Sequence, residues 1–258
     1  MSQLAEGILK VLSTVEIKGS TVRITEQLDR KLYLAVNEVL ERLGGKWNRK
    51  VKMHLFNSDP TDLLNVVIES GELDPKIKTG YFPTPPEIVT RMLDLADLDR
   101  KHLILEPSAG QGHIADEICK RLNLHTHEIM VCETLLENRH ILAEKGYAVE
   151  ECDFIEFSRE CGRQYLSFDR IVMNPPFAPP SQADIDHVTA AFNLLAPGGI
   201  LVTIMSAGVL FRENKKTVEF RENIMEVYGT YLDRLPEGAF KESGTMVNTV
   251  LLRLENVL

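Results

Sequence analysis

The spacing of apolar positions changes near residue 100. From Leu103 onward, short apolar runs alternate with segments whose apolar residues recur every three or four positions, the pattern of strands and helices in βαβ units. "LILE" at 103–106 predicts a first strand, and "HIADEICKRL" predicts a helix with Ile114, Ile118 and Leu122 on one face. "EIMVCE" predicts a second strand, "LLENRHILAEKG" a second helix closed by Gly146, and "YAVEECDF" a third, short strand. "FDRIVMN" predicts the fourth: its apolar residues suit burial on both faces, while Pro175 and Pro176 lack the N–H donors needed to continue a ladder. A helix over 183–196, the turn "APGG", a fifth strand "ILVTIMS", a polar helix around 216–228, and strands in "TYLDRLP" and "MVNTVLLRLE" complete the pattern. The expected fold is α/β, a doubly wound, mostly parallel, seven-stranded Rossmann-like sheet.

Residues 1–79 break this alternation and are expected to form a small, mainly helical accessory region, with the sheet domain over 80–258. "TEQLDRKLYLAVNEVLERLGG" places Leu28, Leu32, Ala35, Val36, Val39 and Leu43 on one helical face, with Thr25 as N-cap and Gly44–Gly45 as the stop. Next, Lys46, Arg49, Lys50 and Lys52 surround Trp47, the only tryptophan. Cations interleaved with an aromatic ring suit phosphate contact and base stacking; the alternative is a solvated basic loop around a core tryptophan. The segment shows neither internal repeats nor a low-complexity linker, so it is expected to pack against the rest of the chain.

Composition narrows the function classes. A chain of 258 residues with 44% hydrophobic content can bury a sizeable core. Its apolar runs fall short of the ~18–20 residues of a membrane span, and the N-terminus lacks a signal-like block, so a cytoplasmic protein without membrane contact is expected. Cys119, Cys132, Cys152 and Cys161 are scattered without a CxxC pair, which indicates neither a metal site nor a disulfide framework. A net charge of −9 argues against indiscriminate coating of nucleic acid but leaves room for local basic patches.

In doubly wound sheets, ligands bind beyond the carboxyl ends of the strands. The polar residues predicted there are Glu106, Glu133, Asp153 and Asn174. Gly110 and Gly112 lie in the first strand-to-helix turn, where missing side chains let backbone N–H groups approach a ligand; the dinucleotide fingerprint is met only loosely, with Ala115 at its third position. An acid at the second strand end can bind both hydroxyls of a ribose, so Glu133 points to an adenosine-containing cofactor. Asp153 and Phe154 then suit the adenine, by accepting from its amine and packing on its face.

"LEPSAGQG", "CE", "CDF" and "NPPF", in this order and spacing, resemble a class I S-adenosylmethionine-dependent methyltransferase, and "GYFPTPPEIVTRML" resembles the segment that N6-adenine DNA methyltransferases place ahead of their glycine loop. The resemblance covers residues 80–255. It implies S-adenosylmethionine as cofactor, with Phe82 and Thr84 at its methionine end and Glu106, Ser108, Gly110 and Gly112 around its amino-acid moiety. Glu133 is implied at the ribose, and Asp153 with Phe154 at the adenine. It also gives Asn174 a chemical task. The exocyclic nitrogen of adenine is conjugated with its ring and a poor nucleophile. The Asn174 side-chain carbonyl and the Pro175 backbone carbonyl can each accept one of its hydrogens, which favours a pyramidal nitrogen with its lone pair directed at the methyl group, and Pro176 helps to hold that backbone rigid. Phe177 is implied to stack on a base flipped out of the duplex, and Phe240 to form the opposite wall; the alternative for Phe240 is a ring tucked under a loop. The expected activity is N6-methylation of adenine in DNA. An rRNA base methyltransferase, a protein-glutamine N-methyltransferase, and a cofactor-binding subunit of a modification complex remain alternatives. Because the chain ends just past the last predicted strand, target specificity is expected to come from residues 1–79 or a partner chain, or to be nearly absent.

Overall fold

The computed structural model describes residues 4–57, 59–71, 82–176, 182–243 and 247–257. Packing separates a first unit, holding the residues up to Phe82, from a second that holds most of the chain from Pro83 onward.

The first unit contains α1 (Glu6–Thr14), β1 (Glu16–Lys18), β2 (Thr21–Arg23), α2 (Arg30–Arg42), β3 (Lys46–Asn48), β4 (Met53–Leu55) and α3 (Thr61–Ser70). Its strands form an antiparallel sheet in the order β1-β2-β4-β3. Helices hold most of the regular structure, as expected, but the four strands were not legible, because three residues are too few to display alternation. Helix α2 begins later than the sequence suggests. Its cap is Asp29, whose carboxylate accepts from the N–H groups of Lys31 and Leu32 at 2.8 and 3.0 Å, whereas the Thr25 hydroxyl donates to the Thr14 carbonyl. The carboxylate satisfies two of the donors that a helix start leaves unpaired, and it stands directly before the helical run.

The second unit is the expected α/β sheet. It contains α4 (Pro86–Leu95), β5 (Ile104–Glu106), α5 (His113–Leu122), β6 (Met130–Cys132), α6 (Leu136–Glu144), β7 (Val149–Glu150) and α7 (Phe154–Arg163). There follow β8 (Phe168–Met173), α8 (Ala183–Phe192), β9 (Leu195–Ser206), α9 (Lys215–Phe220), β10 (Gly229–Arg234) and β11 (Thr249–Glu255). The seven strands lie in the order β10-β11-β9-β8-β5-β6-β7; the pairs from β9 to β7 are parallel, and β11 and β10 add antiparallel. Two boundaries are corrected. Helix α8 ends at Phe192, and "APGG" belongs to the start of β9. Helix α7 adds an element that the sequence pattern does not predict: Asp153 caps it by accepting from the N–H of Ile155 at 2.9 Å.

Leu105, Phe168, Ile171, Met173, Leu201 and Leu252 form a continuous core with Ile185 and Val188 of α8. Each such side chain contributes about 1.5–3 kcal/mol when fully buried. This core holds the strands in place. The chain steps outward from β5 to β6 and β7, then crosses to β8 and β9 on the other side, so the strand order reverses at β5. A crevice opens at such a switch point. Among the described residues no helix is long and apolar enough to cross a membrane.

Candidate functional site

Glu106 occupies the switch point. As the last residue of β5 it is 1% exposed, and the backbone N–H of Ala115, in the first turn of α5, bonds to its carboxylate. Its Oε2 has no hydrogen-bond partner among the described residues. Burial pushes this carboxyl well above the usual carboxylate range; the Ala115 N–H works against that shift, the charges of Asp116 and Glu133 add to it, and Lys145 opposes it. Ser108, two residues on, likewise carries a buried Oγ without a partner among the described residues. A carboxyl oxygen and a hydroxyl, both buried without a partner among the described residues, are costly to keep unless a ligand completes them.

The turn that follows Ser108 needs its glycines. Gly110 and Gly112 have φ of 55° and 86°, the left-handed region, and a Cβ on Gly112 would lie 3.0 Å from Leu142 and 3.4 Å from Asp116. The turn is clasped from outside by Lys145, whose Nζ donates to the Gln111 carbonyl at 2.6 Å and pairs with Asp116 at 2.5 Å. The Tyr147 hydroxyl donates to the other Asp116 oxygen at 2.9 Å. Nothing local marked Lys145, Asp116 or Tyr147, because the clasp joins the end of α6 to a turn about thirty positions earlier in the chain.

Asn174 follows the last residue of β8, and Pro175 and Pro176 follow it. Its Nδ2 donates to the Thr84 hydroxyl at 3.0 Å. That bond uses the donor end of the amide and sets the direction of the acceptor end, Oδ1. Thr84 is 6% exposed and lies in the "PTPP" segment, where Pro85 and Pro86 start α4. A second tie holds this segment: the Ser243 hydroxyl donates to the Pro83 carbonyl at 2.6 Å. Asp184 anchors the start of α8 to the end of β9 by accepting from the N–H of Ser206 at 3.2 Å.

On the other side of β5, Glu133 is buried at the end of β6. Its carboxylate accepts from the Leu135 N–H at 2.7 Å and from the Asn138 amide at 3.3 Å, which fixes the plane of the group. Asp153 is exposed; one oxygen caps α7. Phe154 is 2% exposed, with its ring centroid 6.4 Å from Phe157 and 5.6 Å from His187. Phe240 is also buried. The surfaces of both rings are covered by protein, so the packing against ligand rings that the resemblance implies requires each to be uncovered first. Phe177 lies outside the described residues. Phe82 is buried and belongs to the first unit, as do Lys46, Trp47, Arg49 and Lys50. The structure therefore brings together Thr84, Glu106, Ser108, Gly110, Gly112, Glu133, Asp153 and Asn174 at one edge of the second unit's sheet.

No protein-family model matches the chain, and no curated protein matches it. Solved structures do. The M protein of the type I restriction enzyme EcoKI superposes with a TM-score of 0.57 at 16% identity, over 98% of this chain and 58% of that one. The methyltransferase subunit of a type I restriction-modification system from Streptococcus thermophilus gives 0.58 at 18%, over 76% and 48%. The fold is that of the S-adenosylmethionine-dependent methyltransferases. A protein from Pyrococcus horikoshii described as an RNA methyltransferase shares it at a TM-score of 0.53 and 19% identity, over 77% of this chain and 100% of that one.

Proposed function

We propose that this chain is an S-adenosylmethionine-dependent methyltransferase that acts on the exocyclic nitrogen of adenine in DNA. The observation that carries the proposal is Asn174, set before two prolines at the end of β8, with the donor end of its amide held by Thr84. S-adenosylmethionine, when bound, supplies an electrophilic methyl group on a sulfonium. The residues at β5 fit its charged end: Glu106 Oε2 is a buried acceptor for an ammonium, and Ser108 Oγ and the glycine-turn N–H groups are donors for a carboxylate. Glu133, already oriented by Leu135 and Asn138, has lone pairs for ribose hydroxyls, and the exposed oxygen of Asp153 can accept from an amine.

Asn174 Oδ1 and the Pro175 carbonyl would each accept a hydrogen bond from one N–H of the target amino group, which turns its lone pair out of the ring plane; after the methyl group has moved, the cationic nitrogen loses one proton to solvent. Neither a covalent intermediate nor proton abstraction before transfer is required; the gain lies in alignment. The amide-orienting Thr84 contributes by preventing Asn174 from presenting its NH₂ group to the substrate. A partner chain that supplies target specificity belongs to the same proposal, by likeness to a solved type I restriction-modification assembly.

Methyl-labelled S-adenosylmethionine incubated with duplex DNA, single-stranded DNA, RNA and protein extract, followed by nucleoside and amino-acid analysis, tests this directly. N6-methyladenine in DNA is expected. Asn174→Ala should lose at least ~100-fold in single-turnover rate with cofactor affinity intact, and Asn174→Asp should fall in between. Label in RNA or in glutamine overturns the DNA assignment, and wild-type turnover by Asn174→Ala overturns the acceptor role.

A further inference from the structure

The first unit carries a feature that methyl transfer does not use. Between Glu41 and Asp59 the chain has no Asp or Glu, yet it holds Arg42, Lys46, Arg49, Lys50 and Lys52, within a protein of net charge −9. Structure concentrates four of these on one hairpin. Strand β3 pairs with β4 (Lys46↔Leu55, Trp47↔His54, Asn48↔Met53) and forms the edge of its sheet. Lys46, Arg49, Lys50 and Lys52 are all exposed, and among the described residues none forms an ion pair with a carboxylate. The tip is preorganised. The Asn48 side chain accepts from the N–H groups of Lys50 and Val51 at 2.9 and 3.3 Å, and its backbone carbonyl accepts from Lys52 at 2.9 Å.

Trp47 stands among these cations with 38% of its surface exposed. It is braced, not loose: its ring centroid lies 5.0 Å from His54 across the strand pair and 6.4 Å from Tyr33 of α2, which meets it edge-on. His54 is itself buried and bonded to Asn37 at 2.8 Å. A held indole loses little freedom when a flat partner stacks on its open side. Lysines on an edge strand also discourage edge-to-edge pairing, which accounts for the charge but not for an exposed, supported indole.

We infer that the β3–β4 hairpin is a nucleic-acid-binding surface, on which Lys46, Arg49, Lys50 and Lys52 hold backbone phosphates and Trp47 stacks on an unpaired base. Neighbouring phosphates recur every few ångströms along a strand, which suits cations spread along a hairpin, and base stacking is tolerant of sequence. The inference deepens the DNA reading but is read out by binding alone, so either can fail without the other.

Trp47 is the sole tryptophan, so its fluorescence reports this site in the intact chain. The full-length protein is titrated with a single-stranded oligonucleotide, a duplex, heparin and anionic phospholipid vesicles, over a range of salt concentrations. The oligonucleotide should quench Trp47, with log K falling against log salt at a slope of about −3 for four phosphate contacts. Heparin should bind without comparable quenching. Replacing Lys46, Arg49, Lys50 and Lys52 by alanine should weaken binding at least tenfold and flatten the slope. Trp47→Phe, followed by anisotropy of a labelled oligonucleotide, should keep the slope and lose affinity. If the fourfold variant loses its circular-dichroism signature of folding, Arg49→Ala with Lys50→Ala, both outside the strands, carries the test. Unchanged affinity and slope in a folded variant overturn the inference. Equal quenching by heparin reduces the site to a general polyanion surface, and tight binding of vesicles with a blue shift assigns it to lipid; each of these also overturns it.

Discussion

Replacing Glu106 by glutamine should move stability and cofactor affinity in opposite directions. Glu106 is buried, one of its carboxyl oxygens has no partner among the described residues, and Asp116 and Glu133 add negative charge around it. Its carboxyl therefore holds a proton to higher pH in the folded chain than in the unfolded chain, where it titrates near 4.3. The folded state binds more protons in that interval. The contribution of Glu106 to stability is thus greatest below about pH 4 and declines as pH rises through the window between unfolded and folded values, by at most ~1.4 kcal/mol per pH unit. Above the folded value it stays at its minimum. Glutamine keeps the shape and one acceptor without a charge to desolvate, so the difference in unfolding free energy between variant and wild type should grow with pH across that window and then level off. Cofactor binding should respond the other way. A hydrogen bond to a charged group is worth ~1.5–3 kcal/mol, so loss of the ammonium partner predicts an affinity lower by roughly 10- to 150-fold at neutral pH. Urea denaturation at several pH values gives the first quantity and calorimetric titration with S-adenosylmethionine the second. A constant stability difference at all pH values refutes the buried-charge reasoning, and wild-type affinity in the folded variant refutes the assignment of the ammonium to Glu106.

Thr84→Val should slow single-turnover methyl transfer by up to ~10-fold, the worth of one neutral hydrogen bond, while Thr84→Ser should restore most of it; equal rates for Val and wild type deny Thr84 its hold on Asn174. Glu133→Ala should weaken cofactor binding by ~1.5–3 kcal/mol in calorimetry and free the Leu135 N–H from its cap, and unchanged affinity removes the ribose role. Lys145→Met should raise the cofactor dissociation constant severalfold without altering which base is methylated, because it loosens the glycine turn without touching the substrate side; a shift in product identity contradicts that division.

The sheet was legible because its signals are local. "FDRIVM" is apolar enough to be buried on both faces, and Pro175 and Pro176 end it wherever it packs, so β8 and the place of Asn174 after it follow from covalent structure alone. The same holds for the glycine turn, since Gly110 and Gly112 adopt backbone angles that other residues resist. That Glu106, Glu133, Asp153 and Asn174 share an edge also follows from sequence, because parallel strands joined by helices present all their carboxyl ends together. What the sequence left undecided depends on groups distant along the chain. Thr84 meets Asn174 across ninety positions, Lys145 closes a turn built from the other end of two elements, and the burial of Phe154 and Phe240 depends on what packs over them. The three-residue strands around Trp47 show no alternation, so a segment that reads as a basic loop becomes a braced hairpin only once His54 and Tyr33 are packed behind it. Periodicity and backbone sterics act within a few residues and are written in the chain, whereas the orientation of an amide or the exposed face of an indole is decided by neighbours that only folding supplies.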